Sequence, residues 1–262
     1  MGITVQKKRK IAIDKINGIL KNRNNILIIH YSCEGFYESQ NGKSARITSI
    51  AVKNFETGKV TSFSIDKVAE TQKIKFSEIE NFYDNLEKEM LKLFICFLKE
   101  HKNFYWIHWN MRDINFGFEA INHRCKILDV EIEEINDDKK LNLAKALTDI
   151  YGAKYIDHPR FENLRKYNNI TGKSYLMGDG ELEAFKNKKF KKLNLSTHRK
   201  VEILSAIFDK LSSKKLKHKA NILDIYGASP QGFLDFVKEN PVGFIIWNIV
   251  LLILGAFLGK II

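Results

Sequence analysis

NNILIIHYSCEGF, residues 24–36, is the stretch that decides the fold. Four consecutive branched apolar residues, Ile26 to Ile29, leave neither side of an extended chain polar. A strand of that kind is buried on both faces and belongs inside a sheet. His30, Ser32 and Glu34 then share one face, because alternate strand residues point the same way. The stretch therefore predicts a buried strand that delivers polar groups to its far end.

Working outward, ARITSIAVKN (45–54) alternates and is rich in β-branched residues, ETG (56–58) marks a turn, and KVTSFSID (59–66) reads as the returning strand. Residues 5–20 predict a short basic helix ahead of the sheet. Ser77 with Glu80 has the pattern of a capping box. Behind it Ile79, Phe82, Tyr83, Leu86, Met90, Leu93, Phe94 and Phe97 recur at helical spacing, which predicts a helix of about six turns to residue 102. FYWIHW (104–109) reads as a strand, and Asp113 as the start of another helix. Helices follow near 141–151, 160–168, 180–186 and 199–212. Strands first, then helix–strand–helix, indicate an α/β layer fold with a mixed central sheet flanked by helices.

The motifs sit at HYSCEGF (30–36), HWNMRDINF (108–116) and THRKVEILSAIF (197–208). Their order and placement resemble the DEDDh 3′–5′ exonucleases of the ribonuclease H-like superfamily, over residues 22 to 213 or so. In that family a first strand carries Asp-x-Glu, a histidine-bearing loop carries an aspartate, and a late helix carries His-x4-Asp. The resemblance implies an exonuclease fold and a two-metal phosphodiesterase site. Such a site uses Mg²⁺ or Mn²⁺ to activate water and stabilise the leaving oxygen, while a histidine takes the proton. Carried over residue by residue, it assigns Glu34 and Asp113 as metal ligands and His198 as the base. His108 and Phe116 keep the family spacing around Asp113. Ser32 stands where the first aspartate belongs and Ile203 where the last does, so two of the four acids are replaced. Glu202 is adjacent, but one helical step turns a side chain by about 100°. Two carboxylates set about −2 against the +4 of a metal pair, and a hydroxyl is a poor hard-cation ligand. The resemblance thus implies a degenerate site: Mg²⁺ or Mn²⁺ if it is active, no cofactor if it is silent.

Composition bounds the partners. The chain has 262 residues, a formal charge of +12, 44% hydrophobic and 28% charged residues, and three prolines. Those proportions suit a packed core rather than a disordered chain. Lysine runs at 7–10, 186–192 and 214–219 suit phosphates of nucleic acid, nucleotide or anionic lipid, or simply a solvated face. Cys33, Cys96 and Cys125 are widely spaced, which argues against a zinc site or a disulfide framework. GDGE (178–181) reads as a turn entering a helix, not a phosphate loop.

PVGFIIWNIVLLILGAFLGKII (241–262) carries no charge from Val242 to Gly259. A run of roughly 18 residues spans ~27 Å as a helix, which predicts a C-terminal transmembrane helix. Gly255 and Gly259 form a GxxxG pair that permits self-association into a homo-oligomer. The expected organisation is a basic helix (1–21), an exonuclease-like domain (22–216), a juxtamembrane connector (217–240) and a membrane helix (241–262). The soluble part is expected on the cytoplasmic side of the inner membrane. The function expected is binding or degradation of nucleic acid or a nucleotide there. The alternative is a non-catalytic ligand sensor coupled to a membrane-disrupting effector in anti-phage defence. A plain anchored scaffold is a third option.

Overall fold

The computed structural model describes residues 4–35, 45–112 and 115–258. Its five-stranded sheet runs in the order β3-β2-β1-β4-β5, with β1 Ile26–Cys33, β2 Ile47–Asn54, β3 Val60–Ser64, β4 Tyr105–His108 and β5 Lys140–Asn142. β1, β2 and β3 form an antiparallel meander, while β4 and β5 run parallel to β1. The sheet is therefore mixed, and its order is compatible with a ribonuclease H-like fold. β1 is central, as its unbroken apolar run requires.

The two faces of β1 feed two cores. Leu27, Ile29 and Tyr31 pack against α3 (Tyr83–Glu100) through Leu86, Met90 and Phe94, and against α4 (Phe118–Ile127). Ile26 and Ile28 pack against α8 (Phe190–Ser212) through Val201, Leu204, Ile207 and Phe208. α1 (Val5–Leu20) and α5 (Leu143–Tyr151) close the second core with Ile16, Ile19, Leu143 and Leu147. Each such side chain, taken fully out of water, contributes about 1.5–3 kcal/mol. The β2–β3 turn is set by Asn54, whose side-chain oxygen accepts from the amides of Glu56 and Thr57, and by Gly58 at φ +72°.

Several expected boundaries move. β3 stops at Ser64, and Ile65–Thr71 forms a helix, α2. The expected capping box at Ser77 does not form: Phe76–Phe82 is a 3₁₀ turn without a side-chain cap, and α3 starts only at Tyr83. The reason is that Glu80 is drawn away to Arg46, 2.7 Å distant. α4 begins at Phe118 rather than at Asp113. Leu141 and Asn142, expected at the start of a helix, belong to β5 instead because they pair with Ile107 and His108. α8 begins nine residues earlier than expected, at Phe190, because Phe190 and Leu193 have a core to enter.

After α8 the chain returns to α1. The amide nitrogen of Gln6 donates to the Tyr226 carbonyl and the Ser229 hydroxyl, each at 2.7 Å, and Arg9 grips Glu239 with both nitrogens. These contacts hold α9 (Ile222–Tyr226) and α10 (Pro230–Glu239) on the body. α11 (Pro241–Leu258) carries exposed Phe244, Ile245, Ile249 and Leu252, and Asn248 donates back to its own helix at the Phe244 carbonyl. Among the described residues no single helix is long and apolar enough to cross a membrane. Pro230–Glu239 and Gly243–Ile253 together pass by length and composition, but are bent by 115°.

Candidate functional site

The carboxyl end of β1 is where the sequence reading gathers its acids. Ser32 is buried there, and the β1–β2 register shifts between Ser32 and Cys33. That irregularity comes just before Glu34, whose carboxylate is taken up on the α3 side of the sheet. It receives Nε and Nη2 of Arg46, each at 3.0 Å, while the Glu34 amide donates to the Arg46 carbonyl. Arg46 also holds Glu80 and lies 4.4 Å over the Tyr83 ring. Burial works to raise the Glu34 carboxyl, but the hydrogen bonds and charge of Arg46 outweigh it and hold it below the usual carboxylate range.

Asp113 lies outside the described residues. Its flanks are well anchored. The Met111 amide donates to Nδ1 of His108, the Arg112 amide to the Phe116 carbonyl, and the Gly117 amide to the Tyr31 hydroxyl. Phe116 stacks on Tyr31 with centroids 4.5 Å apart. His198 sits on the outer face of α8, its side chain 42% exposed, with Nδ1 4.0 Å from Glu202. Glu202 is itself bound by Arg199 at 2.5 Å. Glu34 and His198 therefore have separate sets of partners among the described contacts. Ile203, in the place of the last family aspartate, is wholly buried in the α8 core.

What α8 turns toward the sheet and α7 is a different set: Ser196, Thr197 and Lys200. Thr197 and Ser49 share a 2.8 Å hydroxyl hydrogen bond. Glu181, on α7 (Gly178–Lys186), is the hub. Its Oε1 receives the Ser196 hydroxyl at 3.2 Å and the Ser32 hydroxyl at 3.5 Å, and its Oε2 receives the Lys200 ammonium at 2.5 Å. The Lys200 and Glu181 side chains are each only 10% exposed. The charge of Lys200 reaches His30 one pair back along β1. Burial first, and that ammonium second, hold the His30 imidazole well below its ordinary value. Nδ1 of His30 has no hydrogen-bond partner among the described residues. The thiol of Cys33 is pushed up to about 12, chiefly by burial.

This cluster was missed in the sequence because Glu181 reads as a helix-start acid and Lys200 as one more surface lysine. One signal was available: Leu193, Ser196, Lys200 and Leu204 fall at three- and four-residue steps, so Lys200 interrupts a buried stripe.

Chemically the cluster is closed. A buried carboxylate bonded to an ammonium has no net charge to offer a cation, and the second carboxylate, Glu34, is held by a guanidinium. The described donors do not fit a divalent metal pair. Among the described residues no group of three His, Cys, Asp or Glu side chains gathers as a metal site.

No family model matches the chain, and no curated protein matches it. A solved structure, that of the family B DNA polymerase from the hyperthermophilic archaeon Pyrobaculum calidifontis, is similar at 13% sequence identity and a TM-score of 0.46. The likeness covers 82% of this chain and 29% of that one, so the chain spans under a third of the polymerase. A likeness that loose carries no argument about function.

Proposed function

We propose that this chain is a ribonuclease H-like, exonuclease-type protein that holds nucleic acid without cutting it. The observation that carries the reading is Lys200: an ammonium bound to Glu181 stands beside Ser32, where a metal-binding exonuclease needs a cation held by acids. The ion pair keeps the buried cluster neutral and leaves Glu181 no free charge to hold a metal. The basic surface, +12 over the chain, supplies attraction for phosphates. Membrane attachment through the C-terminal segment belongs to the same reading, supported by the exposed apolar side chains of α11.

The test uses the full-length chain in detergent with an end-labelled single strand and Mn²⁺. The expected result is retention of the strand at low salt, release as salt rises, and no loss of strand length. Mn²⁺-dependent shortening abolished by Asp113→Ala would overturn the reading and restore the metal enzyme. Co-flotation with liposomes tests the membrane part; a chain that stays with the aqueous phase contradicts it.

A further inference from the structure

One strand beyond the Glu181–Lys200 pair, the carboxyl ends of β4 and β5 open into a cleft of about 490 Å³ roofed by α1. Crevices outside the carboxyl ends of parallel strands are where α/β sheets bind ligands. A volume of this size lies within the usual 300–1,000 Å³ range for small ligands. The lining is mostly apolar; Met111 and Phe118 reach it from the core, and the Lys140 ammonium lies 5.3 Å over the Phe118 ring.

The polar groups in it are placed rather than scattered. His108 closes β4, is 4% exposed, and lines the cleft. Its Nδ1 accepts the Met111 amide at 3.1 Å, so the proton of the neutral ring belongs to Nε2. The ring stays neutral because burial, with help from Lys140 and Lys15, lowers it to about 3. It is therefore a fixed donor, not a charge. Asn142, opposite His108 in the parallel register, caps the start of α5 by accepting the Lys145 amide. Lys140 and Lys145 are matched by Asp137 and Asp149. Lys15 donates to the Lys140 carbonyl at 2.8 Å. Lys15 and Arg112 thus bring two cations to the cleft, Lys15 with the carboxylates of Asp138 and Asp137 acting on its charge and Arg112 with no ion pair among the described residues. Glu119 is the remaining carboxylate at the rim, suited to accept from an exocyclic amine.

We infer that this cleft binds a nucleoside monophosphate unit: the base against the apolar lining that includes Phe118, the phosphate toward Arg112 and Lys15, with His108 donating from Nε2. The unit is either a free nucleotide or the terminal residue of a strand; the chemistry is the same. The inference takes its ligand class from the nucleic-acid reading above, but not its site.

The experiment is equilibrium dialysis of labelled AMP against the full-length chain in detergent, with inorganic phosphate and adenosine as separate probes. AMP is expected to bind at least tenfold more tightly than either. Arg112→Ala and Lys15→Met, neither in a core, are each expected to weaken AMP at least fivefold and leave adenosine unchanged. Phe118→Leu is expected to weaken both. A short oligonucleotide that displaces AMP identifies the strand end as the source, and one that binds alongside AMP identifies the free nucleotide. AMP binding that is absent to millimolar levels, or indifferent to both Arg112→Ala and Lys15→Met, overturns the inference. If oligonucleotides still bind in that case, the cleft has failed and the nucleic-acid reading stands.

Discussion

Replacing Lys200 by methionine removes the ammonium and leaves Glu181 buried with hydroxyl partners only. The two side chains are each 10% exposed and 2.5 Å apart, so solvent does little to soften the loss. Breaking a buried pair from one side costs about 3–5 kcal/mol. Lys200→Met combined with Glu181→Leu removes both charges and should recover most of the loss, because a fully apolar replacement is often neutral. Urea denaturation of the full-length chain in detergent at pH 7 reads both variants. A single variant that loses less than about 1 kcal/mol at pH 7, or a double variant that recovers none of the loss, would refute the buried pair.

The other ion pairs and the thiols give independent checks. Arg124→Met should cost about 3–5 kcal/mol by urea denaturation, because Glu87 is wholly buried and receives two guanidinium nitrogens of Arg124. Glu34→Gln should cost only about 1 kcal/mol, since its pair with Arg46 is partly solvated. The folded Glu34 carboxyl lies below its ordinary value, so that difference should be constant above the unfolded glutamate value and disappear as pH falls through the folded one. A thiol reagent at pH 8 should modify Cys96 quickly and Cys33 and Cys125 only on unfolding: Cys96 is exposed, while burial pushes the other two up to about 12. Two or more fast thiols in the native state would contradict the packing around them.

The fold was legible where side chains repeat against a plane. Ile26–Ile29 reads as central, and the Asn54–Gly58 turn reads as a hairpin, because both depend on neighbours in sequence. β5 was not legible: three residues gain strand geometry only from Trp106–His108, more than thirty positions away. The Ser77–Glu80 pair misleads for a related reason, since Arg46 competes for Glu80 and local pattern cannot show it. At the site, Ser32 and Ile203, expected in the places of two family acids, are both buried. The Glu181–Lys200 pair was hidden, because the two residues sit on separate helices and meet only when α7 and α8 come together.

The most direct test of the central claim is a Mn²⁺ titration of the full-length chain in detergent, read by the electron paramagnetic resonance of free Mn²⁺. With Lys200 filling the cation's place, the free-metal signal should rise in step with added metal, as it does in buffer. Sequestration of one or two ions per chain, lost on Asp113→Ala or Glu34→Gln, would show that the acids do assemble a metal site and that Lys200 does not close it.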